Sequence, residues 1–372
     1  MLDLRAQFAT IEKEIRTALD EVLASQQFVL GPQLEALERE LAQYCERRAG
    51  IGVASGTDAL MLSLRACGVQ PGDEVIVPAF TFVATAGALS ALGARPVFAD
   101  SEPETLNLSP ESADSRITPR TRAIVAVHLF GLAARIEALL DLAAGHGLPL
   151  IEDNAQSLGA ARGGRKLGSF GTLAATSFYP SKNLGAFGDA GMILTDSDEL
   201  AERLRTLRNH GQAVPGLSAE PGWNSRLDEL QAAALRVKLR HLDRWIHSRR
   251  ALAARYSERF AATAGIQTPQ APAGCEHSYY LYTVRIPSAG KVPGERRDRV
   301  ARRLAECGIS SAIFYPVPLH LQPLYTSLGS RPGDLPVAER AAHEVLSLPL
   351  YPEMTAGQVD RVADAVLEEL RR

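Results

Sequence analysis

Apolar residues first recur at helical spacing. Ile11, Ile15, Leu19 and Val22 share one face, predicting a helix over 11–23. A second is predicted over 32–44, with Leu34, Leu37 and Leu41 on one face and Pro32 in its first turn. From Gly50 the pattern changes to short apolar runs, at 51–54, 75–77, 96–99, 123–127 and 149–151, with helical segments between them. Two further runs, 174–179 and 191–195, follow. Apolar runs separated by helices predict a mainly parallel sheet covered on both faces. The glycine-rich link between the last two runs is too short for a helical crossover, so an antiparallel pair can make the sheet mixed.

Beyond a 214–222 loop, a long helix is predicted over 227–245. A block of different character follows: a helix (249–260), a strand (279–286), a helix (296–307), an aromatic and proline-rich loop (314–325) and a last helix (356–370). The expected organisation is an α/β domain over 1–245 and a smaller α+β domain over 246–372.

The net charge of −3 on 372 residues argues against nucleic acid or an anionic membrane as partner. No stretch has the length and apolarity of a membrane span, and the first residues lack a signal-peptide pattern. Cys45, Cys67, Cys275 and Cys307 are scattered without C-x-x-C, which suggests neither zinc site nor disulfide framework and fits a reducing cytoplasm. No metal site is expected.

Only five lysines occur, and Lys182 stands apart in Ser177-Phe178-Tyr179-Pro180-Ser181-Lys182-Asn183-Leu184-Gly185. An amine at the end of a buried strand, beside hydroxyls and glycines, suits a Schiff base with an aldehyde. Upstream, Ser55-Gly56-Thr57 joins a strand to a helix, where it can cap the helix or cradle a phosphate. The glycines from Gly50 to Gly56 fit a dinucleotide fingerprint poorly, because they lie before and within the strand. Asp153 leaves a strand end as either a helix cap or the counter-charge of a pyridinium nitrogen, and Gln156 follows one turn later. Phe80 is a core ring or a stacking ring. A phosphate cup, a counter-charge and a lysine are what pyridoxal 5′-phosphate (PLP) requires, and Ser177 can add a phosphate donor.

With these motifs in order, the chain resembles the DegT/DnrJ/EryC1/StrS family of PLP-dependent nucleotide-sugar aminotransferases of fold type I. The resemblance extends through Arg208-Asn209-His210-Gly211, Asn224-Ser225-Arg226-Leu227-Asp228-Glu229-Leu230-Gln231 and Ser347-Leu348-Pro349-Leu350. It implies that Lys182 binds the cofactor and moves the substrate proton, and that Asp153 pairs with the ring nitrogen. Phe80 stacks on the ring, Gln156 meets its hydroxyl, and Gly56, Thr57 and Ser177 hold the phosphate. Asn224 reaches the phosphate from a neighbouring subunit, which makes the active unit a homodimer with shared sites. Arg226, Tyr315 and His320 are candidates for the sugar or its diphosphate, although Arg226 also suits a helix salt bridge, Tyr315 loop packing and His320 a surface loop.

The implied reaction is ping-pong. L-glutamate leaves its amine on the cofactor as pyridoxamine phosphate (PMP) and departs as 2-oxoglutarate. A keto-sugar linked to UDP or dTDP then takes the amine, at C3 in the members most alike, for O-antigen, lipopolysaccharide or other surface glycans. Amination at C4, a PLP-dependent dehydratase and a non-catalytic regulator are the alternatives; Lys182 argues against the second, and the lack of a basic helix-turn-helix extension against the third.

Overall fold

The computed structural model describes residues 1–214, 216–288 and 292–371, so Lys291 lies outside the described residues. The chain opens with α1 (Leu4–Ser25) and α2 (Pro32–Tyr44). It continues β1 (Ala49–Val53), α3 (Gly56–Ala66), β2 (Glu74–Pro78), α4 (Ala84–Ala91), β3 (Arg95–Ala99), α5 (Pro110–Asp114), β4 (Thr121–Val127), α6 (Ile136–Gly145) and β5 (Leu150–Asp153). A ribbon of β6 (Ala161–Arg162) and β7 (Arg165–Lys166) precedes β8 (Leu173–Ser177), β9 (Gly191–Thr195) and α7 (Asp198–Leu207). The 214–222 segment contains part of a small pair of strands, β10 (Gln212–Val214) and β11 (Leu217–Ser218), rather than plain loop; Pro215 is outside the described residues.

Seven strands form one sheet in the order β1-β9-β8-β5-β4-β2-β3. Strands β3, β2, β4, β5 and β8 are parallel to one another, and β9 runs antiparallel to both β8 and β1. The short glycine-rich link therefore does produce the antiparallel pair. Strands β2 and β5 are buried at every residue, as a sheet covered on both faces requires.

The N-terminal helices dock through their predicted stripes. Ile11 and Ile15 pack with Ala234, Val237 and Trp245, while Leu34, Leu37 and Leu41 pack with Phe178, Met192 and Leu235. The start of α2 is capped from outside: Glu229 accepts the N–H groups of Gly31, Gln33 and Leu34 at 2.8–3.0 Å. A carboxylate there satisfies donors that a helix leaves unpaired.

The predicted 227–245 helix is two helices, α8 (Glu229–Leu239) and α9 (Leu242–Phe260). No glycine or proline marks the break, which explains why the spacing reads as one. Helix α9 serves two cores: Leu242 and Ile246 enter the first, and Ala253, Tyr256 and Phe260 enter a C-terminal cluster. We propose that the change of domain falls inside this helix, where the expected boundary at 245/246 also lies. The rest comprises β12 (Cys275–Glu276), β13 (Tyr282–Arg285), α10 (Glu295–Glu306), α11 (Pro336–Glu344), β14 (Val345–Leu348) and α12 (Ala356–Leu370). The strand expected over 279–286 is shortened to β13, paired antiparallel with β14, because residues 277–280 form a turn held by side chains.

Candidate active site

The C-terminal ends of β5 and β8 and the N-terminus of α3 come together. Ser55 caps α3, accepting the Asp58 N–H at 3.1 Å, so the capping account of this turn holds. It does not displace the other account. A Cβ on Gly56 would lie 2.5 Å from Ser177 Cβ and 2.9 Å from its hydroxyl, so only glycine lets the helix start touch the end of β8. Thr57 is exposed beside it. Two helical N–H groups, a threonine hydroxyl and a serine hydroxyl make a cradle of anion-binding type.

Consecutive carboxylates on β5 face opposite ways. Glu152, fully buried, accepts from His128 Nε2 at 2.9 Å and from the N–H groups of Gly168, Phe170 and Gly171 at 2.7–2.8 Å. Burial alone would raise its pKa, but the His128 bond and these N–H groups hold it below the ordinary carboxylate value. The imidazole is fixed as well: Nδ1 accepts the Ala134 N–H at 3.1 Å, so Nε2 carries the proton toward Glu152.

Asp153 has less support. It accepts from Thr85 Oγ1 at 2.9 Å and from the Ala155 N–H at 3.2 Å. Burial pushes its carboxyl above the ordinary value, against the opposing pull of Thr85, Ala155 and the Lys182 charge. An under-supported carboxylate of this kind fits a protonated ring nitrogen, which would bring the missing donor and charge. Thr85 is a site residue that the sequence pattern does not single out; it lies one turn after Thr81, with the two hydroxyls 3.4 Å apart.

Gln156 is oriented by its neighbours. Its Oε1 accepts the Phe130 N–H at 2.8 Å, which turns Nε2 toward Tyr315 Oη at 3.0 Å. Burial keeps the Tyr315 hydroxyl protonated, so that proton is available to a further acceptor. The Phe80 ring, 1% exposed, meets Tyr315 edge-on with centroids 6.0 Å apart. It is therefore a core residue that also borders the site.

Lys182 sits on a tight excursion between β8 and β9. The Ala186 N–H returns to Phe178 O at 2.7 Å, and the Lys182 N–H bonds Tyr179 O at 2.8 Å. Lys238, almost fully buried, donates to Gly185 O at 2.6 Å and lies over the Phe187 ring. Lys182 Nζ lies 4.6 Å from the Tyr280 ring centroid, a residue outside the sequence-derived set. Its only sequence signal is an aromatic cluster, Tyr279-Tyr280-Leu281-Tyr282.

Other expected residues lie apart or differently. Asn224 is exposed and forms a bridge with Asn209, while Arg226 donates to Asn209 Oδ1 at 3.0 Å. Arg226 thus makes neither of the simpler contacts expected of it, a helix cap or a salt bridge, among the described residues. His320 is not on a surface loop: it is 1% exposed, with Nε2 3.1 Å from Glu339. The neighbouring Leu319 N–H bonds Ala79 O and draws this histidine inward. A cavity of about 660 Å³ is lined by Phe130, Phe260, Gln267 and Arg285 and includes none of the expected site residues. No cluster of metal-binding side chains occurs among the described residues.

A mixed seven-stranded α/β sheet carrying a phosphate-type cradle, a buried carboxylate and a lysine defines a cofactor-dependent transferase. Residues 9–367 match the DegT/DnrJ/EryC1/StrS aminotransferase family, and the chain belongs to it. It is 46% identical, over 100% of its length and 98% of the relative's, to a pleiotropic regulatory protein of Geobacillus stearothermophilus. It is also 46% identical to the dTDP-3-amino-3,4,6-trideoxy-alpha-D-glucose transaminase of Streptomyces venezuelae (100% and 96% covered). Identity is 44% to the UDP-N-acetyl-3-dehydro-alpha-D-glucosamine 3-aminotransferase of Acidithiobacillus ferrooxidans (100% and 97% covered). Among solved structures, Streptomyces venezuelae DesV in complex with a ketimine intermediate superposes with a TM-score of 0.95 at 46% identity, covering 100% of this chain and 98% of that one. A Bacillus subtilis protein with bound PMP superposes at 0.89 with 33% identity, covering 97% and 82%.

Proposed function

We propose that this protein uses PLP to move an amino group from L-glutamate to C3 of a keto-sugar linked to UDP or dTDP, in the making of surface glycans or amino-sugars. The observation that carries the reading is an under-supported Asp153 within the electrostatic reach of Lys182, beside the Gly56–Ser177 cradle. The dTDP- and UDP-sugar 3-aminotransferases among its relatives support the substrate class and the carbon.

When bound, PLP supplies an aldehyde for an amine and a ring that withdraws electrons from the adjoining carbon. The chain's part is to hold, orient and move protons. Lys182 offers the amine as nucleophile and then carries the proton to and from the amine-bearing carbon. Asp153 keeps a proton on the ring nitrogen, and Thr85 fixes the carboxylate's orientation. The Gly56 and Thr57 N–H groups and the Ser177 hydroxyl take the phosphate, Phe80 borders the ring, and Gln156 with Tyr315 takes its hydroxyl. We assign Arg226 to the sugar diphosphate, and the exposed Asn224 to the phosphate of a partner subunit's cofactor in a homodimer. Enclosed His320 braces the Tyr315 loop rather than touching sugar. Free cysteines, and the lack among the described residues of a helix long and apolar enough to cross a membrane, support a cytoplasmic setting.

The name of the Geobacillus relative gives a second reading, cofactor-binding regulation. One experiment separates the two. Visible absorption of the PLP-loaded protein is followed on adding L-glutamate, beside Lys182→Ala, and the product from UDP- and dTDP-linked 3-keto-sugars is identified by mass spectrometry. Bleaching by glutamate and amine gain at C3 are expected for the wild type. An absorption band indifferent to glutamate would favour the regulator, and absence of PLP binding would overturn both readings.

A further inference from the structure

The turn that places Tyr280 against Lys182 is built at a cost. Tyr279 has φ of +47°, a left-handed conformation that a bulky residue adopts only under constraint. The constraints surround it. The His277 and Tyr279 rings stack at 3.9 Å with 7° between planes, and the Tyr279 N–H donates to His277 Nδ1 at 2.9 Å. The Ser278 N–H bonds Gly131 O at 3.0 Å. Arg249, 3% exposed, donates Nη1 to Tyr279 O at 3.1 Å and to Leu350 O at 2.9 Å. The segment places the Tyr280 ring under Lys182 Nζ at 4.6 Å, with Tyr280 Oη 3.3 Å from Ser181 Oγ.

An aromatic face suits an amine that must be held and released. A carboxylate partner would fix the ammonium in an ion pair and oppose its departure. A ring attracts a cation by roughly 0.5–1 kcal/mol at an open site, enough to favour one rotamer of a long side chain. Its face offers no lone pair that holds the amine in a directional hydrogen bond. Among the described residues, no carboxylate forms an ion pair with Lys182.

We propose that Tyr280 is a positioning residue for Lys182, whose ring face holds the free ε-ammonium in place while the lysine is not bonded to the cofactor. This rests on the aminotransferase reading for its purpose, but not for its test.

The test uses the cofactor-free full-length protein. Acetylation of each lysine by dilute acetic anhydride is timed by mass spectrometry, with exposed Lys13 as internal reference. Tyr280→Leu should raise Lys182 labelling about 2- to 5-fold relative to Lys13, the fold-change that the cation–π attraction implies. Tyr280→Phe, which keeps the ring, should stay within about twofold of wild type. In the PLP-loaded enzyme, the leucine variant should lower kcat by a similar factor with KM for glutamate unchanged, and phenylalanine should restore kcat. Equal labelling in wild type and Tyr280→Leu overturns the proposal. So does a phenylalanine variant that labels as fast as leucine, which would assign the effect to the Ser181–Tyr280 hydroxyl contact. Should the leucine variant not fold, a phenylalanine variant that labels more than about twofold faster than wild type still overturns the proposal. A failed aminotransferase assay with the labelling pattern intact would remove the function but keep the Lys182–Tyr280 contact.

Discussion

Replacing Asp153 by asparagine should have opposite effects on the empty and the loaded protein. The reasoning starts from donor supply. A carboxylate has about four acceptor positions. Glu152 fills them with His128 and three backbone N–H groups, whereas Asp153 has Thr85 and Ala155 alone. Both are buried, and their pKa shifts diverge accordingly: Glu152 is lowered and Asp153 is raised. A carboxyl whose folded pKa is raised contributes stability below its unfolded pKa, near 4, and loses it as pH rises through the folded value. Above its folded value the Asp153 charge therefore strains the cofactor-free fold. Asp153→Asn should relieve this by about 1–2 kcal/mol, raising the cofactor-free Tm by about 1–3 °C, and the gain should shrink as pH is lowered toward the unfolded value. In the loaded protein the carboxylate is half of a buried pair, and removing one partner of such a pair costs roughly 3–5 kcal/mol. PLP affinity should fall by roughly a hundredfold or more. Differential scanning fluorimetry of both forms, with PLP titrated by absorbance, measures each arm. A variant less stable than wild type when empty, with PLP affinity intact, would refute the reasoning and return Asp153 to the role of a helix cap.

Two further outcomes follow from the same region. Gly56→Ala puts a methyl 2.5 Å from Ser177 Cβ, so the start of α3 must retreat from β8. Overpacking of this kind costs about 1–3 kcal/mol, and inorganic phosphate or PLP binding by calorimetry should weaken about tenfold or more; unchanged affinity would remove this cradle from the phosphate site. Burial lowers the Lys238 pKa to about 8 from 10.5, so its folded state binds the proton less tightly than the unfolded chain. The resulting destabilisation is full below pH 8 and fades as pH approaches 10.5, which means that Lys238→Met should change urea stability most favourably at pH 7 and progressively less by pH 10. A difference independent of pH would show that folding leaves the lysine's proton affinity unchanged, and would refute the reasoning.

The alternating runs made the sheet legible, including its antiparallel β9, because strand burial and link length are local properties of the chain. Lys182, Asp153 and the Ser55–Thr57 turn were legible for a related reason: each lies at the end of an apolar run, where a parallel sheet exposes its functional edge. Tyr280 was not legible. Its approach to Lys182 spans about a hundred residues and depends on a left-handed Tyr279, which no periodicity announces. The break between α8 and α9 was hidden because no glycine or proline marks it and apolar residues on both sides of it, Leu235 and Leu242, enter the same core. His320 looked like a loop residue because its partner, Glu339, lies on a different element.

The neighbouring carboxylates on β5 show how a single strand divides structural from chemical work. Alternation sends Glu152 to one face, where it fastens the 168–171 segment and orients His128. It sends Asp153 to the other, where the backbone supplies only one of the two hydrogen bonds seen. A shift of strand register by one residue would exchange the two environments. Glu152, with a longer side chain, would then face the site, and Asp153 would fall short of the N–H groups that now stabilise a buried charge. The Glu-Asp order is therefore matched to the register, and the extra methylene of Glu152 is what lets a buried negative charge be completely satisfied one residue away from a charge left partly unsatisfied for use.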